Sequence, residues 1–555
     1  MAEPKNKYDR QLRIWGEQGQ EALEKASVCL LKCGPTGSET LKNLVLGGIG
    51  SITVVDGSKV EVGDLGNNFM VDERSVGESK AKCVCAFLQE LNDAVRAKYV
   101  EESPEALIET NPLFFAQFTL VIATQGEIAL KIPWEPIMLW PYGYLLFLYL
   151  VFDRQWLLEN SVVKLDRICR KEDIMLIVAR SYGLTGLVRI SVKEHTVIES
   201  KPDHFVGDLR LHNPWPELKQ FAEDIDLNTT DPVIHKNIPY VVILVKAASE
   251  WKHTHGGLLP TTREEKKQFK DHLKTKMISL DEDNYKEAID SSFKVSIPAG
   301  ISSQLRQIIE DNSAKVFAGS SDFWVLVAAL KEFIENQGNG DAPLEGSIPD
   351  MTSSTEYYVS LQKIYQEKAE ADCQVMEHLV RNTLKRIGRD PGSILKATIK
   401  SFCRNARKIN VCRYRSIEEE FMSPLLPELH KYFLDEEYSA AINFYILLRA
   451  VDRFTSNYNR FPGLFEDSEL DEEMSRLKTV AVSILSEMGA NGSTLSEDLI
   501  NEMCRFGGAE LHAVAAFIGG IASQEAIKLI TKQFIPMSGT FIFNGIDHKS
   551  QILVL

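Results

Sequence analysis

Positive charge is in short supply: 62 Lys and Arg face 78 Asp and Glu, which leaves the chain at −16. Non-specific nucleic-acid binding needs clustered cations that displace counterions from phosphates, so this balance argues against it. Cysteine is sparse too, nine thiols scattered over 555 residues with no spacing that suggests a disulfide framework. The polar start MAEPKNKYDRQ lacks the apolar core of a secretory signal, and the two absences together predict a reducing compartment, nucleus and cytoplasm. No internal repeat or low-complexity tract interrupts the chain. Two glycosylation sequons, at Asn228 and Asn491, are chance matches under that reading. What remains is ordinary globular composition, 44% apolar and 25% charged, with length for roughly three to four domain-sized units.

Glycine is missing where a nucleotide loop needs it. The segment VCLLKCGPTGSETLKNLVLGGIGSITVVDG predicts a strand at Val28 to Leu31, a turn, a helix at Ser38 to Leu46, and a second strand at Ser51 to Val55 ending in Asp56. A phosphate cradle on that frame requires glycines so that backbone N–H groups can approach the ligand at the helix N-terminus. Only Gly34 and Gly37 are present; Lys32 stands where a first glycine belongs, and Pro35 removes a donor. The frame is kept while the cradle is damaged.

Further along, a helix at Lys80 to Asn92 and strands at Thr119 to Thr124, Met175 to Ala179 and Gly186 to Val192 continue the alternation, which implies a mostly parallel sheet covered on both faces. From about Asp203 to Asn501 helical spacing takes over. Ser321 precedes a run with Phe323, Leu326, Leu330 and Phe333 closed by Gly338, and a longer run from Ser354 to Ile387 stops at Gly388. The end of the chain returns to α/β character. HAVAAFIGGIASQEAIKLITKQF predicts an apolar helix whose interior Gly519 and Gly520 suggest close backbone packing, followed by a strand at Thr540 to Phe543. The expected organisation is an α/β domain in two pieces, 1–202 and 502–555, with a large, mainly helical domain inserted at 203–501.

One stretch fits neither pattern. Within Gly126 to Trp156, residues Pro136 to Phe152 carry no charge, which is the lower length limit of a membrane span. Pro141 and Gly143 interrupt it, and a span here would put two halves of one sheet on opposite sides of a bilayer. An atypical hydrophobic insertion in the first domain is the preferred reading, with no membrane as partner.

At this point the residues carry a resemblance. Tyr8-Asp9-Arg10-Gln11-Leu12-Arg13-Ile14-Trp15-Gly16, then Leu41-Lys42-Asn43-Leu44-Val45-Leu46, then Gly519-Gly520 with Gln524-Glu525, resemble the adenylation domains of the enzymes that activate ubiquitin and its relatives. The inserted helical block and Ile348-Pro349-Asp350-Met351 narrow the likeness to the regulatory subunits of the heterodimeric activating enzyme for the neddylation (RUB) modifier, the plant auxin-resistance version above all. The fold so implied is a degenerate Rossmann-like adenylation domain of the ubiquitin-activating-enzyme type. The activity implied belongs to a partner: a catalytic subunit adenylates the modifier's C-terminal carboxylate with MgATP and passes it to a cysteine as a thioester. The implied partners are that subunit, the modifier and the conjugating enzyme, across an obligate-sized interface above roughly 2,000 Å². The helical block is expected to help bind the modifier and to form half of the catalytic-cysteine region.

The departures from the family are coherent. Catalytic halves carry D-x-D-x-x-x-x-S-N-L-N-R-Q-F, which aligns without a gap on Asp56 to Phe69; here the second acid is Ser58, an asparagine is Gly66 and the arginine is Asn67. Gln125 stands where an aspartate holds Mg²⁺, and a neutral amide serves a hard cation poorly. No cysteine is followed by threonine, as family nucleophiles are, and no C-x-x-C pair occurs, so neither the thioester cysteine nor the structural zinc is expected. Gly34, Gly37, Asp56 and Lys80 are vestiges of cofactor binding, Asp56 equally readable as a ribose ligand or a helix cap and Lys80 as a surface charge. No cofactor or metal of the chain's own is expected; ATP and Mg²⁺ go to the catalytic partner. Arg10 is the residue the resemblance carries into catalysis, reaching in trans toward the partner's ATP, where a fixed planar cation suits developing phosphate charge; an ordinary exposed helix arginine is the alternative. From another class, a stand-alone NAD-dependent Rossmann oxidoreductase with Asp56 on the ribose would use the same frame, and a self-sufficient adenylating homodimer is discouraged by Ser58, Asn67 and Gln125.

Overall fold

The computed structural model describes residues 7–125, 129–131, 151–153, 157–202, 207–297, 300–349, 352–463, 470–490 and 495–555. These form two compact units, Met1–His195 with Cys412–Leu555, and Thr196–Val411. Of the hydrophobic stretch at 126–156, only two short strands fall among the described residues, Ala129–Lys131 and Val151–Asp153, paired antiparallel; the rest lies outside them, as do Asp350, Met351 and the Asn491 sequon.

The first unit is built on an eight-stranded sheet. Its strands are β1 (Ser27–Leu31), β2 (Ser51–Val55), β3 (Arg96–Val100), β4 (Leu120–Ala123), β5 (Met175–Tyr182), β6 (Thr185–Ser191), β7 (Thr540–Asn544) and β8 (Lys549–Leu553), in the spatial order β8-β7-β6-β5-β4-β1-β2-β3. Central β1 and β4 are buried along nearly their whole length, the continuous apolar pattern of parallel strands covered on both faces. β1 pairs in parallel with β2 on one side and β4 on the other, Val28 opposite Ile52 and Leu120. Chain order thus reverses at β1, and the crevice beyond the carboxyl ends of β1 and β4 is the place where open α/β sheets hold ligands. The expected mostly parallel sheet is parallel only from β3 to β5. From β5 onward the pairs are antiparallel because β5 with β6 and β7 with β8 are hairpins, and the C-terminal hairpin joins through β7 on β6. Two strands of this sheet went unpredicted: β3 is a charged, largely exposed edge strand, and β8 is polar, so neither carries the apolar run that marks a strand.

Two helices border the crevice, α2 (Pro35–Leu46) and α3 (Lys80–Leu91), while α1 (Asp9–Lys25, broken at Gly16) precedes β1. The C-terminal helix His512–Thr531 is long and apolar enough to cross a membrane by composition alone, yet Val514, Ile518, Ala522, Ala526 and Leu529 sit in the core with Leu41, Leu44 and Ile177. It is a core helix laid on α2.

The unit boundaries fall at 195/196 and 411/412 rather than 202/203 and 501/502. Helices Ser439–Tyr458, Leu470–Glu487 and Glu497–Phe506 share a core with Tyr182 of β5, Ile542 of β7 and Leu553, so they belong to the first unit although their sequence is purely helical. Periodicity reports the element and leaves open which core receives its face.

The second unit is mainly helical. The 32-residue helix Thr355–Arg386 is its spine: Leu361 and Tyr365 enter one apolar cluster, and Met376, Val380 and Leu384 enter another with Leu326, Leu330 and Phe333 of helix Asp322–Glu335. Both runs end near their expected stops, and Gly388 takes the left-handed conformation (φ 77) just past the spine.

The two interior glycines of helix His512–Thr531 separate in the structure. A Cβ on Gly519 would lie 2.8 Å from Glu39 Cβ and 3.0 Å from the Thr40 nitrogen, whereas one on Gly520 meets nothing within 4 Å. Gly519→Val is expected to cost about 1–3 kcal/mol through overpacking against α2. Gly520→Ala is expected to be neutral or to stabilise by up to about 1 kcal/mol through helix propensity. Urea unfolding of the two variants checks the contrast.

Candidate functional site

The crevice begins where β1 ends. Lys32 leaves the strand in the left-handed region (φ 66), a conformation that costs a non-glycine residue energy and confirms that a glycine would suit the position. Its chain is buried, with Nζ 3.7 Å from Glu105. Gly34 is the N-cap of α2 and Pro35 occupies its first turn, so the helix starts three residues earlier than expected. Proline is well suited to that position, but it offers no N–H to a ligand. Gly37 is needed for packing: a Cβ there would stand 2.7 Å from the Lys32 carbonyl and 2.8 Å from Thr124 Oγ1.

The first free donor of α2 is the Thr36 N–H, and it is taken. Glu510, from the segment just before the C-terminal helix, places Oε2 3.2 Å from that nitrogen, 2.9 Å from Thr36 Oγ1 and 3.3 Å from Ser181 Oγ. A helix N-terminus presents N–H groups and the positive end of its dipole, the arrangement that holds phosphates. Here an internal carboxylate, only 3% exposed, stands in the anion position. Around it the loop is closed. The Cys33 carbonyl accepts from Ser38 Oγ and Asn68 Nδ2, Gln125 Nε2 donates to the Ser181 carbonyl, and a Cβ on Gly34 would meet the Gln125 carbonyl at 3.0 Å and Glu510 Oε1 at 3.1 Å. Asn67, at the family's arginine position, donates Nδ2 to the Glu510 carbonyl at 3.1 Å and so anchors the carboxylate's own backbone. Gly66, at the end of the short helix Val62–Gly66, touches nothing that a Cβ would disturb.

Asp56 is spent on the same closure. One carboxylate oxygen accepts the Cys33 N–H at 2.9 Å, and the other accepts the Ser58 N–H at 3.0 Å and its hydroxyl at 2.7 Å. Burial pushes its pKa up, but the Lys32 and Lys80 charges and the two N–H donors outweigh it and hold the group below the ordinary carboxylate value. Asp56 is therefore neither a helix cap nor free for a ribose, which removes the ligand on which the oxidoreductase reading rests. Lys80, 2% exposed, is not a surface charge. Its Nζ lies 2.6 Å from Asp64 Oδ1, whose other oxygen accepts the Glu61 N–H at 2.8 Å. Burial lowers the lysine's affinity for its proton, and Asp64 with Asp56 more than reverse that, so its pKa is raised.

Arg10 lies elsewhere on the first unit. It is exposed on α1 and forms no ion pair with a described residue, while neighbouring Arg13 pairs with Asp9 at 2.9 Å. Arg10 borders a groove of about 680 Å³ whose walls include Ile14 and Trp15 of α1, Asn43 and Leu46 of α2, and Phe517, Gly520 and Gln524 of the C-terminal helix. Ile14, Leu46 and Phe517 are 55%, 47% and 42% exposed, an apolar surface next to the exposed Arg10. The structure thus unites Gly34, Gly37, Asp56, Lys80, Ser58, Asn67 and Gln125 in one closed crevice and sets Arg10 on a separate open groove. Sequence reasoning missed Glu510 and Asp64. Asp64 lay inside the aligned stretch without a visible partner, and nothing local marks Glu510 as the neighbour of Thr36.

Sheet order, reversal at β1 and a crevice at its carboxyl end define a Rossmann-type adenylation fold, and residues 8–132 match the ThiF family. Over its whole length the chain is 65% identical to the NEDD8-activating enzyme E1 regulatory subunit AXR1 of Arabidopsis thaliana, of which it covers 97%, and 64% identical to all of the AXL regulatory subunit of the same plant. It is 39% identical to the NEDD8-activating enzyme E1 regulatory subunit of Xenopus laevis, 98% of this chain aligning with 97% of that one. The chain belongs to the family of NEDD8-activating enzyme E1 regulatory subunits.

Two outcomes follow from the closed crevice. Lys80→Met strands the Asp64 carboxylate in the interior and is expected to cost about 3–5 kcal/mol in urea unfolding at pH 7. Because the folded-state pKa of Asp56 is depressed, its contribution is present above the unfolded value near about 4 and is lost as pH falls through the lower folded value. Asp56→Asn should accordingly flatten the acid limb of the stability–pH curve, and an unchanged limb would contradict the assignment.

Proposed function

We propose that this chain is the non-catalytic half of a heterodimeric activating enzyme for the ubiquitin-like modifier NEDD8 (RUB). The catalytic subunit holds ATP and Mg²⁺, adenylates the modifier's C-terminal carboxylate and takes it up as a thioester. The observation that carries this reading is the Glu510 carboxylate on the Thr36 N–H. A phosphate brought there would meet a buried like charge rather than free donors, and Gln125 offers a magnesium ion no carboxylate. The residues of this crevice do not fit a nucleotide of their own. Activity then depends on a second chain, which agrees with the family's name as a regulatory subunit.

The open groove supplies the complementary half of the reading. Its exposed Ile14, Leu46 and Phe517 offer the apolar centre that stable subunit interfaces bury, and Arg10 stands at its border. In the heterodimer Arg10 extends its guanidinium to the phosphates of the partner's ATP, where its charge and planar donors stabilise the transition state of adenylation. Nucleus and cytoplasm are the proposed locations, and the conjugating enzyme is a further partner. Neither nucleic acid nor membrane is a partner in this reading, given the charge of −16 and the core position of helix His512–Thr531.

The test is ATP–pyrophosphate exchange driven by the modifier. This chain alone should show none, and the reconstituted pair should. Arg10→Ala in the pair should lower the exchange rate on the order of 10²-fold while size-exclusion chromatography shows unchanged assembly. Full exchange by the Arg10→Ala pair would remove Arg10 from the reaction, and exchange by this chain alone would overturn the reading.

A further inference from the structure

The stretch that carries Arg10 is set off from the rest of α1 by the break at Gly16. That residue takes φ 68 and ψ 179, a conformation open to glycine and almost nothing else. A Cβ there would meet nothing within 4 Å, so the glycine serves the bend rather than packing. Trp15 folds back across the bend: a Cβ on Gly19 would stand 2.8 Å from Trp15 Cβ, and the indole N–H donates to Gln20 Oε1 at 3.0 Å. Asp9 to Trp15 is therefore a separate helical piece of about two turns, with Arg10 about 7.5 Å along its axis from Trp15.

Both ends of that piece are held by buried amides from elsewhere in the first unit. At the start, Asn92, just past α3, accepts from Lys7 Nζ at 2.7 Å and donates to the Tyr8 hydroxyl oxygen at 3.0 Å. At the bend, Gln533 Nε2 donates to the Trp15 carbonyl at 2.9 Å, one of the carbonyls that the end of a helical piece leaves without an intrahelical donor. Gln533 is 5% exposed and follows helix His512–Thr531. It sits between Lys532 and Phe534, both in the left-handed region at φ 55 and φ 58. Non-glycine residues in that region are uncommon, and they persist where the surroundings over-determine them. The turn delivers one side chain to the base of the piece that carries Arg10. Since helix His512–Thr531 also lines the groove beside Arg10, through Phe517, Gly520 and Gln524, the bond refers the arginine to that wall.

We infer that Gln533 is a positioning residue for Arg10. By fixing the Trp15 carbonyl it sets the angle at which the piece leaves Gly16, and with it the reach of the guanidinium toward the phosphates of the partner's ATP. The inference rests on the role proposed above for Arg10 in the heterodimer. A planar cation on a fixed base loses less freedom on reaching a developing charge than one on a swinging base. Gln533 acts through the backbone of the Arg10 piece and not on the phosphates.

The experiment is modifier-driven ATP–pyrophosphate exchange by the reconstituted heterodimer carrying Gln533→Met, which keeps the side-chain length and removes the donor. The expected result is a kcat lower by between about 10-fold and 10²-fold, a nearly unchanged KM for ATP, and unchanged assembly by size-exclusion chromatography. In an Arg10→Ala heterodimer the same substitution should cause no further loss, whereas a merely structural defect would multiply the two losses. Gly16→Ala, whose Cβ meets no atom but disfavours the bend, should behave in the same way and keeps the inference testable if Gln533→Met fails to fold. An unchanged kcat in both variants, or losses that multiply with that of Arg10→Ala, would overturn the inference. If Arg10→Ala alone leaves exchange intact, the role of Arg10 falls and the inference falls with it, an outcome distinct from a neutral Gln533→Met beside a slow Arg10→Ala.

Discussion

The bond between the Glu510 carboxylate and the Thr36 N–H organises the first unit. It joins the start of α2, the end of β5 through Ser181, and a segment 474 residues further along the chain. The C-terminal return of the domain is therefore more than a structural completion. Glu510 stands in the anion position just before helix His512–Thr531, and Gly519 lets that helix lie backbone to backbone on α2. Remove the carboxylate, and a buried helix N-terminus is left with its donors unmet.

Charges that serve nucleotide chemistry on this frame elsewhere have been turned inward here. Asp56 satisfies the loop's own N–H groups, Lys80 neutralises Asp64, and Asn67 holds the backbone of Glu510. Each of these side chains thus has a partner within the crevice. Retaining the fold while closing the site is what a subunit kept for pairing requires: the outer helices α1, α2 and His512–Thr531 still present a groove with Arg10 at its border.

Much of this was legible in the sequence because the signals were local. Lys32, Pro35, Ser58 and Gln125 differ from a working cradle at positions that a strand, turn and helix pattern fixes, and β1, β2 and β4 announce themselves as apolar runs. The rest is tertiary. No periodicity tells that the helices between Ser439 and Phe506 pack on Tyr182 and Leu553 and so belong with the sheet. Gly519 and Gly520 look alike in sequence, yet only the first meets α2. Glu510 and Thr36 reveal their partnership only when the chain closes on itself.

The central claim is that the crevice excludes nucleotide because the chain fills it with its own carboxylate. Titration calorimetry of MgATP into the isolated full chain, and into its complex with the catalytic subunit, tests that directly. The account predicts no binding heat for the chain alone and a saturable single site for the complex. A saturable site on the isolated chain, competed by AMP, would contradict it.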